Sequence, residues 1–216
     1  MKPATPSSRS RLIALGSAIL LIAAAFIAAR MTADKGFFSF SPPATTEMPN
    51  PEADVHGPAG ALQLYRTFYT AWATMILLFP ALVYFWYRKR SETAGRRWLL
   101  YWTASYIVFL VHLWCAMSGF FGGDFEKMTH TSRVSAFWPD LIVAAWWGID
   151  IIVAWTQKTD RRWIEIQRVI VHLAVFILFV AGSAYEGEVL VSKVLGYTLA
   201  ATVLGALVRR YLRKEV

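Results

Sequence analysis

The sequence predicts an all-α, polytopic transmembrane helical bundle, and its length, composition and apolar pattern together support that prediction. The chain has 216 residues, of which 56% are hydrophobic and 15% aromatic, and its mean hydropathy is +0.42. An ordinary soluble domain is less apolar, and the chain is too short for two such domains. Its apolar residues form continuous runs, unlike the alternating pattern of a membrane β-strand. We therefore expect helices that cross a lipid bilayer.

About six stretches are long enough to span a bilayer, because crossing ~30 Å of hydrocarbon takes ~20 mainly apolar residues. The first has a basic start and a small-residue end, so it predicts a transmembrane helix or a signal peptide whose cleavage would leave five spans. A linker rich in Pro and acidic residues follows, without helical or strand periodicity. The predicted spans are 12–30, 68–87, 98–120, 137–156, 163–184 and 189–208. The predicted organisation is a signal-anchor or first helix (1–30), an extended outer-side linker (31–67) and a five-helix bundle (68–216).

The distribution of charge predicts the orientation. Lys and Arg collect at the two termini and in the loops at 87–97 and 157–162, whereas the loops between those positions are acidic. Short cytoplasmic loops retain positive charge, so both termini should be cytoplasmic and the chain should be a multi-pass protein of the cell inner (cytoplasmic) membrane. The net charge of +8 follows from this asymmetry and from contact with anionic lipid headgroups. A nucleic-acid partner is therefore not expected.

Several classes of enzyme site are excluded by the motifs. One cysteine, Cys115, allows neither an intrachain disulfide nor a cysteine-based metal site, and it is expected to be buried and inert. The sequence carries no glycine-rich phosphate loop, nucleophile elbow or His-Glu-x-x-His motif. We predict no metal site.

Tryptophans mark the expected ends of the spans. Amphipathic rings favour the headgroup layer, so six of them are predicted to be interfacial anchors. Trp146 and Trp147 lie in mid-span and are expected to pack in the core. The predicted anchors are Trp86, Trp98, Trp102, Trp138, Trp155 and Trp163.

Ionisable residues inside the spans are the main candidates for function, because each costs at least ~2.5 to 3.5 kcal/mol in a bilayer without a partner. Asp150 and Arg168 are each nine residues from residue 159, the middle of a short loop. They should lie at equal depth in an antiparallel hairpin and form a structural ion pair, with a proton or anion relay as the alternative. Glu165, near the inner surface, is expected to reach the headgroup layer by itself.

His112 and His172 suggest a cofactor. Glu165, Arg168 and His172 share one face of the fifth span, and Ser105, His112 and Gly119 share one face of the third. Two inward histidines on different helices can ligate one b-type haem. Hydrogen bonding within the bundle is the competing interpretation.

The outer loop after the third span is a candidate docking surface. Adjacent aromatics precede a glycine pair, so the chain can turn back and present its aromatic side chains to lipid or to a partner. The residues predicted to form it are Phe120, Phe121, Asp124, Phe125 and Glu126.

Three functions remain open. The first is a non-catalytic inner-membrane subunit that docks a membrane or periplasmic protein through its outer-side loops. The second is an electron-transport subunit that binds haem between His112 and His172 and exchanges electrons with quinone. The third is a small transporter or membrane enzyme that uses Asp150, Arg168 and His172.

Overall fold

The computed structural model describes residues 8–33, 61–130, 137–156, 161–185 and 189–212. These residues contain helices and short connections and no strand, so the all-helical prediction is confirmed for them. Six of their helices are long and apolar enough to cross a membrane, as the sequence predicts. The length and composition of these helices make the chain a multi-pass membrane protein.

Seven α-helices are described, and two of them continue into a π-helical segment. They are α1 (Ser8–Ala33), α2 (Ala61–Tyr87), α3 (Glu92–Trp114), α4 (Phe125–His130), α5 (Phe137–Thr156), α6 (Arg162–Val180) and α7 (Leu190–Leu212). The π-helical segment Cys115–Phe120 follows α3, and Ala181–Tyr185 follows α6. Such segments interrupt the α-helical repeat and are frequent at functional sites.

Two helices begin six or seven residues earlier than the apolar pattern predicts. Helix α2 starts at Ala61 instead of residue 68, and its first turn buries Leu62 and Leu64. Helix α3 starts at Glu92 instead of residue 98, after Ser91, whose Oγ accepts a hydrogen bond from Ala94 N (3.4 Å). Charged residues in the first turns of α3 hide the helix from a hydropathy pattern. Residues 31–33 and 61–67 of the predicted linker are thus helical, and its residues 34–60 lie outside the described part of the chain.

The chain divides into two compact units. Unit 1 comprises residues 1–15, 75–106 and 140–216. Within it, side chains of α2, α3 and α5 contact α6 through ring stacking and hydrogen bonds. Helix α7 approaches the end of α6 so closely that a Cβ at Gly196 would lie 2.9 Å from Ala184 N. Polar side chains, described below, lie in the middle of this unit.

Unit 2 comprises residues 16–74 and 107–139. Helix α1 contributes the buried small side chains Ala18, Ala25 and Ala29 to its interior. Between the π-helical segment and α4 the chain turns at two glycines, with φ of 64° at Gly122 and 78° at Gly123. This left-handed conformation favours glycine, because a Cβ would be strained there.

Candidate functional site

Asp150 is the centre of a buried polar network in unit 1. Its side chain is completely buried. Its Oδ1 accepts hydrogen bonds from Gln167 Nε2 (2.7 Å) and from Arg168 Nε (3.3 Å), and its Oδ2 accepts one from Trp102 Nε1 (3.0 Å). The residues predicted to pair, Asp150 and Arg168, are therefore in contact. Three donors compensate for the water that the carboxylate loses on burial.

Glu165 extends this network toward the exposed end of the helices. Its Oε1 lies 3.4 Å from Arg168 Nη1, while its Oε2 lies 2.7 Å from Arg88 Nη2 and 3.0 Å from Lys89 Nζ. The Lys89 side chain is 56% exposed. Glu165 was expected to reach the headgroup layer unaided, and it is instead held by three cations. A chain of ion pairs thus leads from an exposed lysine to a buried aspartate.

Arg88 follows the last residue of α2, and its pKa is shifted from the ordinary value. Burial lowers the pKa of its guanidinium to about 10, although the nearby Glu165 carboxylate opposes that shift. Arg88 is therefore still protonated at neutral pH. Its Cζ lies 3.8 Å from the centre of the Phe85 ring, a cation–π distance.

His172 lies in the middle of a stack of planar groups. Its ring is sandwiched between Phe85 and Trp102, each at a centroid distance of 3.8 Å and an interplanar angle of 16°. Trp147 continues the stack beyond Trp102 at 4.6 Å. The rings come from α2, α6, α3 and α5 in that order, so the stack joins four helices.

Both nitrogens of the His172 ring are used within the protein. Nε2 accepts a hydrogen bond from Trp98 Nε1 (2.8 Å), and Nδ1 donates one to Arg168 O (2.7 Å). Coordination of iron by His172 would break one of these bonds. His112 belongs to unit 2, is only partly buried, and has its Nδ1 2.9 Å from Thr67 O. The shared haem stays a prediction from the sequence.

Two of the six predicted tryptophan anchors have another role. Trp98 is 6% exposed and Trp102 is completely buried, and their indole nitrogens donate to His172 and Asp150. The interfacial prediction is wrong for this pair. Their i, i+4 spacing, continued by the buried Ser105 three residues later, is the signal that places them on an inward face.

The predicted docking loop contains a short helix, α4. Phe125 is 51% exposed and meets Trp138, which is 57% exposed, edge to face at 5.9 Å. Glu126 is also exposed and Asp124 is half-buried. Phe121 was expected on the outer face, but it is buried together with Met128. These two apolar side chains pack the segment against the rest of unit 2. Phe120 belongs to the π-helical segment, and its side chain lies outside the described part of the structure.

No group of three or more His, Cys, Asp or Glu side chains within the described ranges is placed to hold a metal ion. Cys115 is buried. The chain matches no model of a known protein family, no curated protein and no solved structure.

Proposed function

We propose that the chain is a non-catalytic integral subunit of the cytoplasmic membrane that docks a partner protein through its outer-side loops. The observation that carries the proposal is the exposed aromatic pair Phe125 and Trp138, next to the exposed Glu126. In the orientation inferred from the basic clusters, this surface faces away from the cytoplasm.

The docking surface, defined as Phe125, Glu126 and Trp138, has the features of a binding anchor. Large aromatic side chains contribute much of the energy of protein interfaces when a partner buries them. The buried Phe121 and Met128 fix the segment that presents Phe125, so little ordering is needed on binding. The complementary partner is a protein with an apolar pocket bordered by Lys or Arg side chains.

The polar network of unit 1 supports a structural role. Asp150, Glu165, Arg168 and His172 bond to one another or to neighbouring side chains and backbone. A transporter or a haem–quinone subunit would have to release one of these groups to bind its substrate or cofactor. A satisfied network instead fixes the helices of unit 1 and leaves binding to the docking surface.

Photocrosslinking tests the proposal. A photoreactive amino acid replaces Phe125 in cells, and a second chain carries it at Ile177, an apolar position of α6 that is 61% exposed. We expect one discrete protein adduct from position 125 and lipid adducts alone from position 177. Glu126→Lys should reduce the protein adduct by reversing the local charge.

The matched charge control is Glu92→Lys, because Glu92 is an exposed acid at the start of α3 that pairs only with the half-buried Arg96 in the described structure. It should leave the adduct at position 125 unchanged. Lipid adducts alone from position 125 would show that this surface is an interfacial anchor and not a docking site. A protein adduct equally strong with Glu126→Lys would show that the charge of Glu126 does not contribute to docking.

A further inference from the structure

Arg30 in unit 2 is a buried charge without a partner in the described structure. It lies on α1, three residues before that helix ends, and is 3% exposed. Its Nε, Nη1 and Nη2 atoms are all buried and make no hydrogen bond to the described residues. A guanidinium carries five N–H donors and stays protonated in proteins. Arg30 therefore needs an anionic acceptor.

A second buried cation lies near Arg30. Arg66 on α2 is 2% exposed, and it contacts Phe26, which precedes Arg30 by one turn on the same face of α1. The Arg66 guanidinium lies 5.0 Å from the centre of the Phe26 ring, and its Nη1 donates to Gln63 Oε1 at 3.3 Å. The described part of unit 2 thus brings two positive charges together in its interior.

Gly119 makes room for this arrangement. A Cβ at Gly119 would lie 2.7 Å from Gln63 Oε1, the atom that accepts the Arg66 hydrogen bond. Any larger residue at position 119 would displace the Gln63 side chain and change the position of the Arg66 guanidinium. The absence of a side chain at Gly119 therefore leaves space for the Gln63 side chain that binds Arg66.

Two buried guanidinium groups near each other repel, and a bound anion relieves that repulsion. Charges inside a bilayer usually face a protein interior and are compensated there. The planar fork of arginine matches two oxygens of a phosphate, and charge-assisted bonds of this kind are the strong ones. A single phosphate held between two arginines would satisfy donors of both.

We propose that Arg30 and Arg66 bind a phosphate group at the edge of the membrane. Arg30 is three residues before Ala33, so its Cα lies within ~5 Å, along the helix axis, of the end of α1. The phosphates of lipid headgroups lie at the edge of the hydrocarbon layer, which makes a phospholipid one source of the group. Inorganic phosphate carries the same oxygens and is the other source. The site is independent of the docking surface.

Lipid binding by the full chain in detergent tests the site. Native mass spectrometry and thermal melts compare phosphatidylglycerol, a diacylglycerol without phosphate, and inorganic phosphate. We expect phosphatidylglycerol to be retained and to raise the melting temperature, and diacylglycerol to do neither. Arg30→Gln should weaken the affinity by about ten- to a hundredfold, the range for a lost charge-assisted hydrogen bond.

Two variants and one control make the result specific. Arg30→Lys keeps the charge but not the fork, so its affinity should fall between those of the wild type and Arg30→Gln. Gly119→Ala should weaken binding through Gln63 and Arg66. Arg96→Gln removes a half-buried arginine of unit 1 that pairs with Glu92 at 3.2 Å, and it should bind like the wild type. If Arg30→Gln does not fold, the Arg30→Lys and Gly119→Ala variants measure the same site.

The comparison with inorganic phosphate distinguishes the two sources of the bound phosphate group. Stabilisation by inorganic phosphate that depends on Arg30 assigns the site to the free anion, whereas stabilisation by phosphatidylglycerol alone assigns it to the lipid. Equal affinity of Arg30→Gln and the wild type would overturn the proposal. The same holds if Arg30→Gln lowers the melting temperature equally with and without phosphate or lipid, because the charge is then satisfied within the chain.

Discussion

Replacement of Asp150 by Asn is the sharpest test of the network in unit 1. The substitution preserves size and removes the negative charge that accepts hydrogen bonds from Trp102, Gln167 and Arg168. The amide oxygen can still accept the bonds of Gln167 and Arg168. The amide nitrogen then faces Trp102 Nε1, so two donors meet and neither has an acceptor.

The expected loss in the free energy of unfolding is about 3 to 5 kcal/mol, the usual cost of breaking a buried ion pair by removing one partner. The orphaned indole N–H contributes about 1 to 3 kcal/mol of that amount. Arg168 keeps its contact with Glu165 at 3.4 Å, which limits the loss. The double variant Asp150→Asn with Arg168→Gln removes the uncompensated cation, and about 1 to 3 kcal/mol should be recovered because the residues are coupled.

Reversible unfolding in mixed detergent and SDS micelles measures these differences. Glu92→Gln is the matched control, because it removes an exposed carboxylate from an i, i+4 pair with Arg96 and should change stability by less than about 0.5 kcal/mol. A single Asp150→Asn variant as stable as the wild type would show that the buried pair does not stabilise the fold. A double variant that loses the sum of the two single losses would show that the residues are not coupled.

Three further predictions use other assays. Trp98→Phe keeps an aromatic ring but removes the N–H that binds His172 Nε2 at 2.8 Å, so the free energy of unfolding should fall by about 1 to 2 kcal/mol. The control Trp163→Phe, at a position 57% exposed, should change the free energy of unfolding by less than about 0.5 kcal/mol. Equal effects of the two variants would refute the role of Trp98. In a Cys115→Ala background, an impermeant thiol reagent should label single cysteines only in the outer-side loops, and the reverse pattern would invert the orientation. The positions are Ser91 and Thr159, expected to be protected, and Ala53 and Thr131, expected to be labelled. Protein purified from haem-sufficient cells should show no Soret band, whereas a b-type band that His172→Ala abolishes would replace the docking-subunit proposal with the redox alternative.

The contact between Asp150 and Arg168 could be predicted from the sequence because helical rise is constant. Asp150 and Arg168 were paired by counting residues from a short loop, and the structure places Arg168 Nε 3.3 Å from Asp150 Oδ1. The inward face that carries Glu165, Arg168 and His172 also follows from helical periodicity. In the structure Arg168 and His172 are buried and Glu165 is half-buried.

Contacts of apolar and aromatic side chains between helices could not be predicted in the same way. In a membrane, side chains that face lipid and those that face a neighbouring helix are both apolar, so hydropathy does not separate them. Phe85 and Trp102 therefore gave no sign that they would enclose His172. Arg30 is the last residue of the predicted span 12–30, whereas α1 continues to Ala33 with that side chain buried.

The network of Asp150 has a consequence for the order in which the chain enters the bilayer. Synthesis runs from the N-terminus, so Trp102 is made before Asp150, while Gln167 and Arg168 follow only with α6. Until then the carboxylate of α5 lacks its cation, and a lone acid opposes insertion of that helix. Helices α5 and α6 are therefore expected to leave the insertion machinery together as a hairpin. Arg168 on α6 then helps to determine how α5 is inserted into the lipid.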